Sequence, residues 1–133
     1  GYVIGLDYKN PYLSPFDAFQ RLVDPNAQWG FANGDKYENL IWMSGDSYTQ
    51  PTEEECVQKL AEINYEYEVK EYQRHRAAEY PSYADQFDQI FHDGIDAWKA
   101  TILDVKRKYP KQVMQPEVLE ERKKKALEDL NGE

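Results

Sequence analysis

The sequence predicts an α+β fold that is mainly α: a short N-terminal β-hairpin packed on a long helix, then a helix–turn–helix pair and a helical tail. Three observations predict it. Asn33-Gly34 stands between two short aromatic-rich runs, and that dipeptide supplies the positive φ angles of a hairpin turn. Thr52 and Glu55 form a capping box at the head of a stretch with no glycine or proline until Pro81, as a long helix requires. Trp98, Ile102, Val105 and Tyr109 recur at i, i+4, i+7 and i+11, a one-sided apolar stripe with helical period.

Taken in order, Tyr2-Val3-Ile4 and Leu6 read as a short strand, closed by the turn signal Asn10-Pro11. The residue before a proline avoids the helical region. Ser14-Pro15 reads as an N-cap followed by proline at the first helical position, where its missing N–H costs nothing. A helix is expected over about 15–23, ended by Asp24-Pro25-Asn26. The hairpin spans about 27–43, with Trp29, Phe31, Ile41 and Met43 as its expected apolar face. A lone two-stranded hairpin is marginal in water, so a helix must cover it. The helix beginning at Thr52 is expected to run to about residue 79, with Val57, Leu60, Asn64 and Tyr67 on one stripe.

Ser82 then caps a short helix over about 83–92, ended by Gly94. A second helix follows over about 95–108, stopped by Tyr109-Pro110. Trp98, Ile102 and Val105 are expected to pack against Phe87 and Phe91. After the linker 111–115, Pro116 opens a final segment in which Glu120-Glu121 precedes the basic run 122–125 by about one turn. Its apolar residues are too few for a helix that stands alone. It is therefore expected to be a docked or oligomer-forming tail.

Composition narrows the class of function. The 133 residues carry 16 Lys plus Arg against 25 Asp plus Glu, a formal net charge of -9. That balance argues against general nucleic-acid affinity, which rests on positive charge. No apolar run approaches the roughly 18 residues of a membrane span. A single cysteine, Cys56, makes neither an internal disulfide nor a thiolate metal cage. The chain starts without Met and without a basic-then-apolar leader, so no secretory signal is expected and the start reads as a fragment edge or a processed end.

The residue types that carry chemistry lack the partners chemistry needs. Cys56 lies in the first turn of a helix, where the dipole favours a thiolate, but Glu53, Glu54 and Glu55 oppose that. It reads as a small residue on the helix's inner edge. His75 and His92 have no Cys or His at ligand spacing, and His92-Asp93 has no nucleophile motif beside it. Asp85, Asp88, Asp93 and Asp96 lack the ligand order of a calcium loop. Gly1 and Gly5 do not make a dinucleotide fingerprint. Arg122 to Lys125 reads as a solvated helix face. No catalytic, cofactor-binding or metal-binding residue is assigned, and no enzyme activity is expected.

Tyrosine is the suggestive residue. There are 11 of them, and Tyr65, Tyr67, Tyr72, Tyr80 and Tyr83 fall on or just after the long helix. Tyrosine joins an apolar ring to a polar tip and is enriched at interfaces. These five are the candidate partner interface; the other reading is a small, wet core edged with tyrosine.

Residues 18–111 carry the runs LVDPNAQWGF, YENLIWMSGDSYTQPTEEE and YQRHRAAEYPSYADQFDQIFHDGIDAWKATILDVKRKYPK. This block resembles small tail-associated proteins of marine bacteriophages, broadly the XkdW-like group. The resemblance implies a non-enzymatic structural or assembly role through protein–protein contacts. It further implies tail or fibre proteins as partners, possible homo-oligomerisation, and a location in the virion or in the host cytoplasm during assembly. The first 21 residues, with LDYKNPYLSPF at their centre, are similar to a segment of electron-transfer flavoprotein–ubiquinone oxidoreductases. The flavin fingerprint is missing and one cysteine cannot hold a four-cysteine cluster, so no redox activity follows. The expected division is a fusion-like segment 1–21, a phage-protein-like domain 22–110 and a charged helical tail 111–133. The alternative is a chimeric environmental reading frame whose N-terminus is a non-functional oxidoreductase fragment.

Overall fold

A computed structural model describes residues 13–132. The expected strand at Tyr2–Leu6 and the turn at Asn10-Pro11 lie outside the described residues. The element order is α1 (Pro15–Leu22), β1 (Trp29–Phe31), β2 (Leu40–Trp42), α2 (Glu53–Val69), α3 (Glu71–Glu79), α4 (Tyr83–Asp93), α5 (Ile95–Lys108) and α6 (Pro116–Asn131). The mainly α, α+β class is the one the sequence predicts.

The chain forms two compact units. One is the continuous stretch Val69–Val113; the other joins the described residues before it to those after it. The expected division at 21 and 110 follows sequence resemblance and is not this division into units: residue 21 lies within α1, and residues 114–132 group with those before 69.

In the discontinuous unit, α1 starts as its sequence dictates. The Asp17 carboxylate accepts from the Ser14 backbone N–H at 2.8 Å and from the Ser14 hydroxyl at 3.1 Å. That places Ala18 and Phe19 inward, both fully buried. The hairpin lies against them. Trp29 pairs with Trp42 and Phe31 with Leu40 across an antiparallel ladder, so these four share a face. Rings of Trp29, Phe31, Tyr37 and Trp42 surround Phe19 at centroid distances of 4.7, 5.9, 6.4 and 6.3 Å. Cys56 and Leu60 of α2 join the same cluster.

Two details of the hairpin correct the sequence reading. Ile41 and Met43 are exposed, and Leu40 and Trp42 point inward instead. Side chains alternate along a strand, so the register with β1 decides which parity faces the core. The connection is also longer than a tight turn. Asn33 and Gly34 do hold positive φ, 63° and 132°, but Tyr37–Asn39 add a 3₁₀ turn before β2 begins. The Tyr37 hydroxyl, donating to the Pro51 carbonyl at 2.7 Å, ties that turn to the head of α2.

The capping box of α2 is formed on both sides. The Thr52 hydroxyl accepts from Glu55 N–H at 3.1 Å, and Glu55 accepts from Thr52 N–H at 3.0 Å. The helix does not continue to residue 79. At Lys70 the backbone turns to φ -80°, ψ 3°, and the next amide bond closes over three residues, from Gln73 N–H to the Lys70 carbonyl. Nothing in the local sequence marks this break, since neither proline nor glycine is near. The inward residues also differ from the expected stripe. Cys56, Tyr65 and Glu68 are buried, whereas Val57, Leu60, Asn64 and Tyr67 are half-buried.

Glu68 is 3% exposed, and a buried carboxylate needs a partner. Arg122 of α6 supplies it with two parallel bonds of 2.8 and 3.0 Å. The same guanidinium lies over the Tyr65 ring, and the Tyr65 hydroxyl accepts from Gln115 N–H at 3.0 Å. The tail is thus docked on α2, the first of the two fates its sequence allows.

In the unit Val69–Val113, Arg76 of α3 donates from Nε to the Tyr109 carbonyl and from Nη2 to the Lys106 carbonyl, at 2.9 and 3.2 Å. Lys106 lies in the last turn of α5 and Tyr109 is its C-cap, so neither carbonyl has a partner within the helix. Lys108 reaches Glu79 at 2.7 Å, and His75 stacks on the Tyr109 ring.

Phe19→Ala should destabilise the discontinuous unit by about 3–5 kcal/mol, read as a lower denaturant midpoint and loss of near-UV aromatic dichroism. An unchanged midpoint would show that the hairpin is held by something else. Arg122→Ala strands Glu68 in the interior. Because Arg122 is itself partly exposed, the loss should fall at or below the low end of the roughly 3–5 kcal/mol seen for broken buried pairs. Arg122→Met combined with Glu68→Leu should recover much of it. A double variant no better than the single one would contradict that account.

Candidate interaction surface

The geometry of α4 starts at its two ends. The Ser82 hydroxyl accepts from Asp85 N–H at 3.1 Å, the N-cap the sequence signals. Gly94 ends the helix at φ 93°, a conformation that side chains with a Cβ rarely adopt. This turn hands the chain directly to α5.

The rotation of α4 about its axis is opposite to the expected one. Phe87 and Phe91 do not pack on α5; they are 70% and 83% exposed. The side of α4 that meets α5 is amide-bearing. The Trp98 indole N–H donates to Gln86 Oε1 at 3.0 Å, and Gln89 Nε2 donates to the Thr101 hydroxyl at 2.8 Å. Gln86 Nε2 also donates back to the Pro81 carbonyl at 2.8 Å. Trp98 brings an N–H that must be satisfied when it is covered. Gln86 satisfies it, and the helix turns its glutamines inward to do so. Of the expected α5 stripe, Val105 is buried and Trp98 and Ile102 are half-buried.

The consequence is an amphipathic helix with its apolar side in water. Tyr83, Phe87 and Phe91 sit one above another at i, i+4 and i+8, 81%, 70% and 83% exposed. Ala84 and Ile90 flank them on the same side of the helical wheel, and Ile95, the first residue of α5, is 49% exposed. Asp88 borders the stripe.

The five candidate tyrosines divide accordingly. Tyr83 is the one that opens fully to solvent. Tyr67 and Tyr80 are half-buried. Tyr65 and Tyr72 are 6% and 7% exposed and hold structure instead. Tyr65 anchors α6, as above. Tyr72 lies under the Arg76 guanidinium, and its hydroxyl accepts from Gln73. Phe87 and Phe91 were legible as apolar but were assigned to the interior. The sign against that was the presence of Gln86 and Gln89 on the side that had to meet Trp98.

Elsewhere, the residues with reactive side chains are occupied structurally. His75 bonds Glu71 Oε1 at 2.8 Å. His92 is exposed beside the Phe91 ring. Among the described residues no group of three His, Cys, Asp or Glu side chains is placed to hold a metal ion. A shallow cleft of about 270 Å³ is lined by Leu22, Glu55, Gln58, Lys59, Glu62 and Lys123. Two of its lining residues, Lys59 and Glu62, form an ion pair at 2.7 Å, and Lys59 holds the Glu62 carboxyl below its ordinary range. No helix among the described residues is long and apolar enough to cross a membrane. The chain matches no family model, no curated protein and no solved structure.

Burial pushes the Cys56 thiol up to about 11, and Glu55 and Glu53 add to the shift. An aromatic disulfide reagent should therefore leave Cys56 untouched in the native chain at neutral pH and label it on unfolding. Rapid native labelling would refute the buried-thiol assignment. The sign of the pH effect follows from the same shift. The unfolded thiol ionises near its model-peptide range while the folded one keeps its proton to about 11. Cys56 should thus cost stability as pH rises through that window, a slope absent in Cys56→Ala.

Proposed function

We propose that the chain is a non-enzymatic, phage tail-associated structural or assembly protein that works through protein–protein contacts. One observation carries the contact part of this reading: the Tyr83–Phe87–Phe91 stripe, which a folded chain leaves in water. Contiguous apolar patches of several hundred Å² are uncommon on monomers and mark sites of interaction. The tail-associated part rests on the resemblance of residues 18–111, whose run DQFDQIFHDGIDAWKA contains most of this surface. On this reading the partners are tail or fibre proteins, and the chain resides in the virion or in the host cytoplasm during assembly.

The rival reading, an idle oxidoreductase fragment at the N-terminus of a chimera, draws less support. Ala18 and Phe19, fully buried at the centre of the hairpin cluster, fall where the two resemblances overlap, so the folded hairpin depends on residues that both readings claim; the surface on α4 lies wholly outside the fragment.

The test is to purify particles and tail intermediates of the phage whose genome carries the reading frame, and to measure the chain in each by mass spectrometry. A fixed ratio to the tail proteins in either fraction is the expected result. Constant amounts in mature particles identify a virion component, and presence in intermediates alone identifies an assembly factor. Absence from both would overturn the proposal.

A further inference from the structure

We propose that α4 is the contact face of a two-fold pair of chains, in which two copies lay their Tyr83–Phe87–Phe91 stripes against each other antiparallel. The inference rests on reading that stripe as a protein-contact surface, and it names a second copy as the occupant. Three observations favour a second copy.

The first is spacing. Tyr83 and Phe91 lie four residues to either side of Phe87, so the stripe is a palindrome about Phe87. A two-fold axis there sets Phe87 on its own copy and Tyr83 on the other chain's Phe91. Self-complementarity of this kind is what an isologous interface requires. Small Ala84 lies beside the place where the second chain's Phe91 ring arrives.

The second is area. Three aromatic rings exposed by 70–83% offer about 450 Å² in each copy. Doubled, and with the half-buried Ile90 added, the pair can remove up to about 1,000 Å² from water, the lower bound for a specific interface.

The third is charge. The formal net charge of -9 would oppose self-association if it were spread evenly. It is not. The unit Val69–Val113 holds seven acids and eight bases, so the acid excess belongs to the other unit. Asp88 is the charge that borders the stripe, and the two-fold places both copies of it on the same rim, exposed to water and to screening by salt.

Sedimentation equilibrium of the full chain from about 1 to about 300 µM reads the pairing directly. The expected result is a monomer–dimer equilibrium in the wild type, strengthened by salt. Phe87→Glu and Phe91→Glu should remain monomeric with unchanged helical dichroism, because both side chains already face water in the single chain. The geometry has its own readout. Antiparallel helices about 10 Å apart bring the two copies of position 87 to a Cα separation of about 5 Å, which suits a disulfide. Phe87→Cys should therefore cross-link into dimers on mild oxidation, whereas Asp85→Cys, on the other side of α4, should not. A wild type that stays monomeric throughout, a dimer that survives both glutamate variants, or equal cross-linking at 85 and 87 would each overturn the pairing. A monomer that still enters tail fractions in a Phe87-dependent manner would overturn it while leaving the partner-binding reading intact.

Discussion

The burial of one side chain, Phe19, makes the hairpin possible. A hairpin of two three-residue strands has too few ladder bonds to stand in water, and an eight-residue helix is below the length that is stable alone. Each exists because Phe19 joins them, with four aromatic rings placed around it at centroid distances of 4.7 to 6.4 Å. The dependence continues outward. Tyr37 belongs to that ring set and reaches the Pro51 carbonyl, which fixes where α2 begins and brings Cys56 to the cluster.

A second constraint runs along α2. Once Tyr65 and Glu68 are turned inward, their polar ends must be met, and α6 meets both. Arg122 serves the carboxylate and the Gln115 N–H serves the phenol. The sequence signs for α6 were surface signs, acid-to-base pairs one turn apart. They predicted a helix correctly but not its seat, because the decisive residue is one arginine among four consecutive bases. Lys123 to Lys125 could not replace it, since an ammonium does not give the two parallel bonds a guanidinium gives a carboxylate.

What was legible in the sequence was punctuation. Ser14-Pro15, Thr52 with Glu55, Ser82, Gly94, Tyr109-Pro110 and Pro116 all mark helix ends where they were read. Each acts through its own backbone or the next turn, so local sequence suffices. What was not legible depended on partners distant in sequence. The inward parity of β2 is set by its register with β1. The rotation of α4 is set by what Trp98 needs across the turn. The break at Lys70 has no local mark at all. The candidate surface shows the same division: Tyr83 reads from the sequence as an interface residue and is exposed, whereas Phe87 and Phe91 read as apolar and face the opposite way from the one expected.

That error has a physical lesson about α4. Helices ordinarily bury their apolar stripe and wet their polar one. Here the inward side is held by directional bonds through Gln86 and Gln89, while the stripe that hydrophobic burial would favour is left outside. A hydrogen bond contributes only about 1 kcal/mol net, less than burial of a phenylalanine side chain at about 1.5–3 kcal/mol. A single chain that turned Phe87 and Phe91 outward for two such bonds would be choosing the weaker stabilisation. The pairing proposed above would bury the rings and remove that imbalance. The tyrosines mark the same boundary: Tyr65 and Tyr72 occupy the interior with their hydroxyls bonded, and Tyr83, at the end of the stripe, keeps its ring in water.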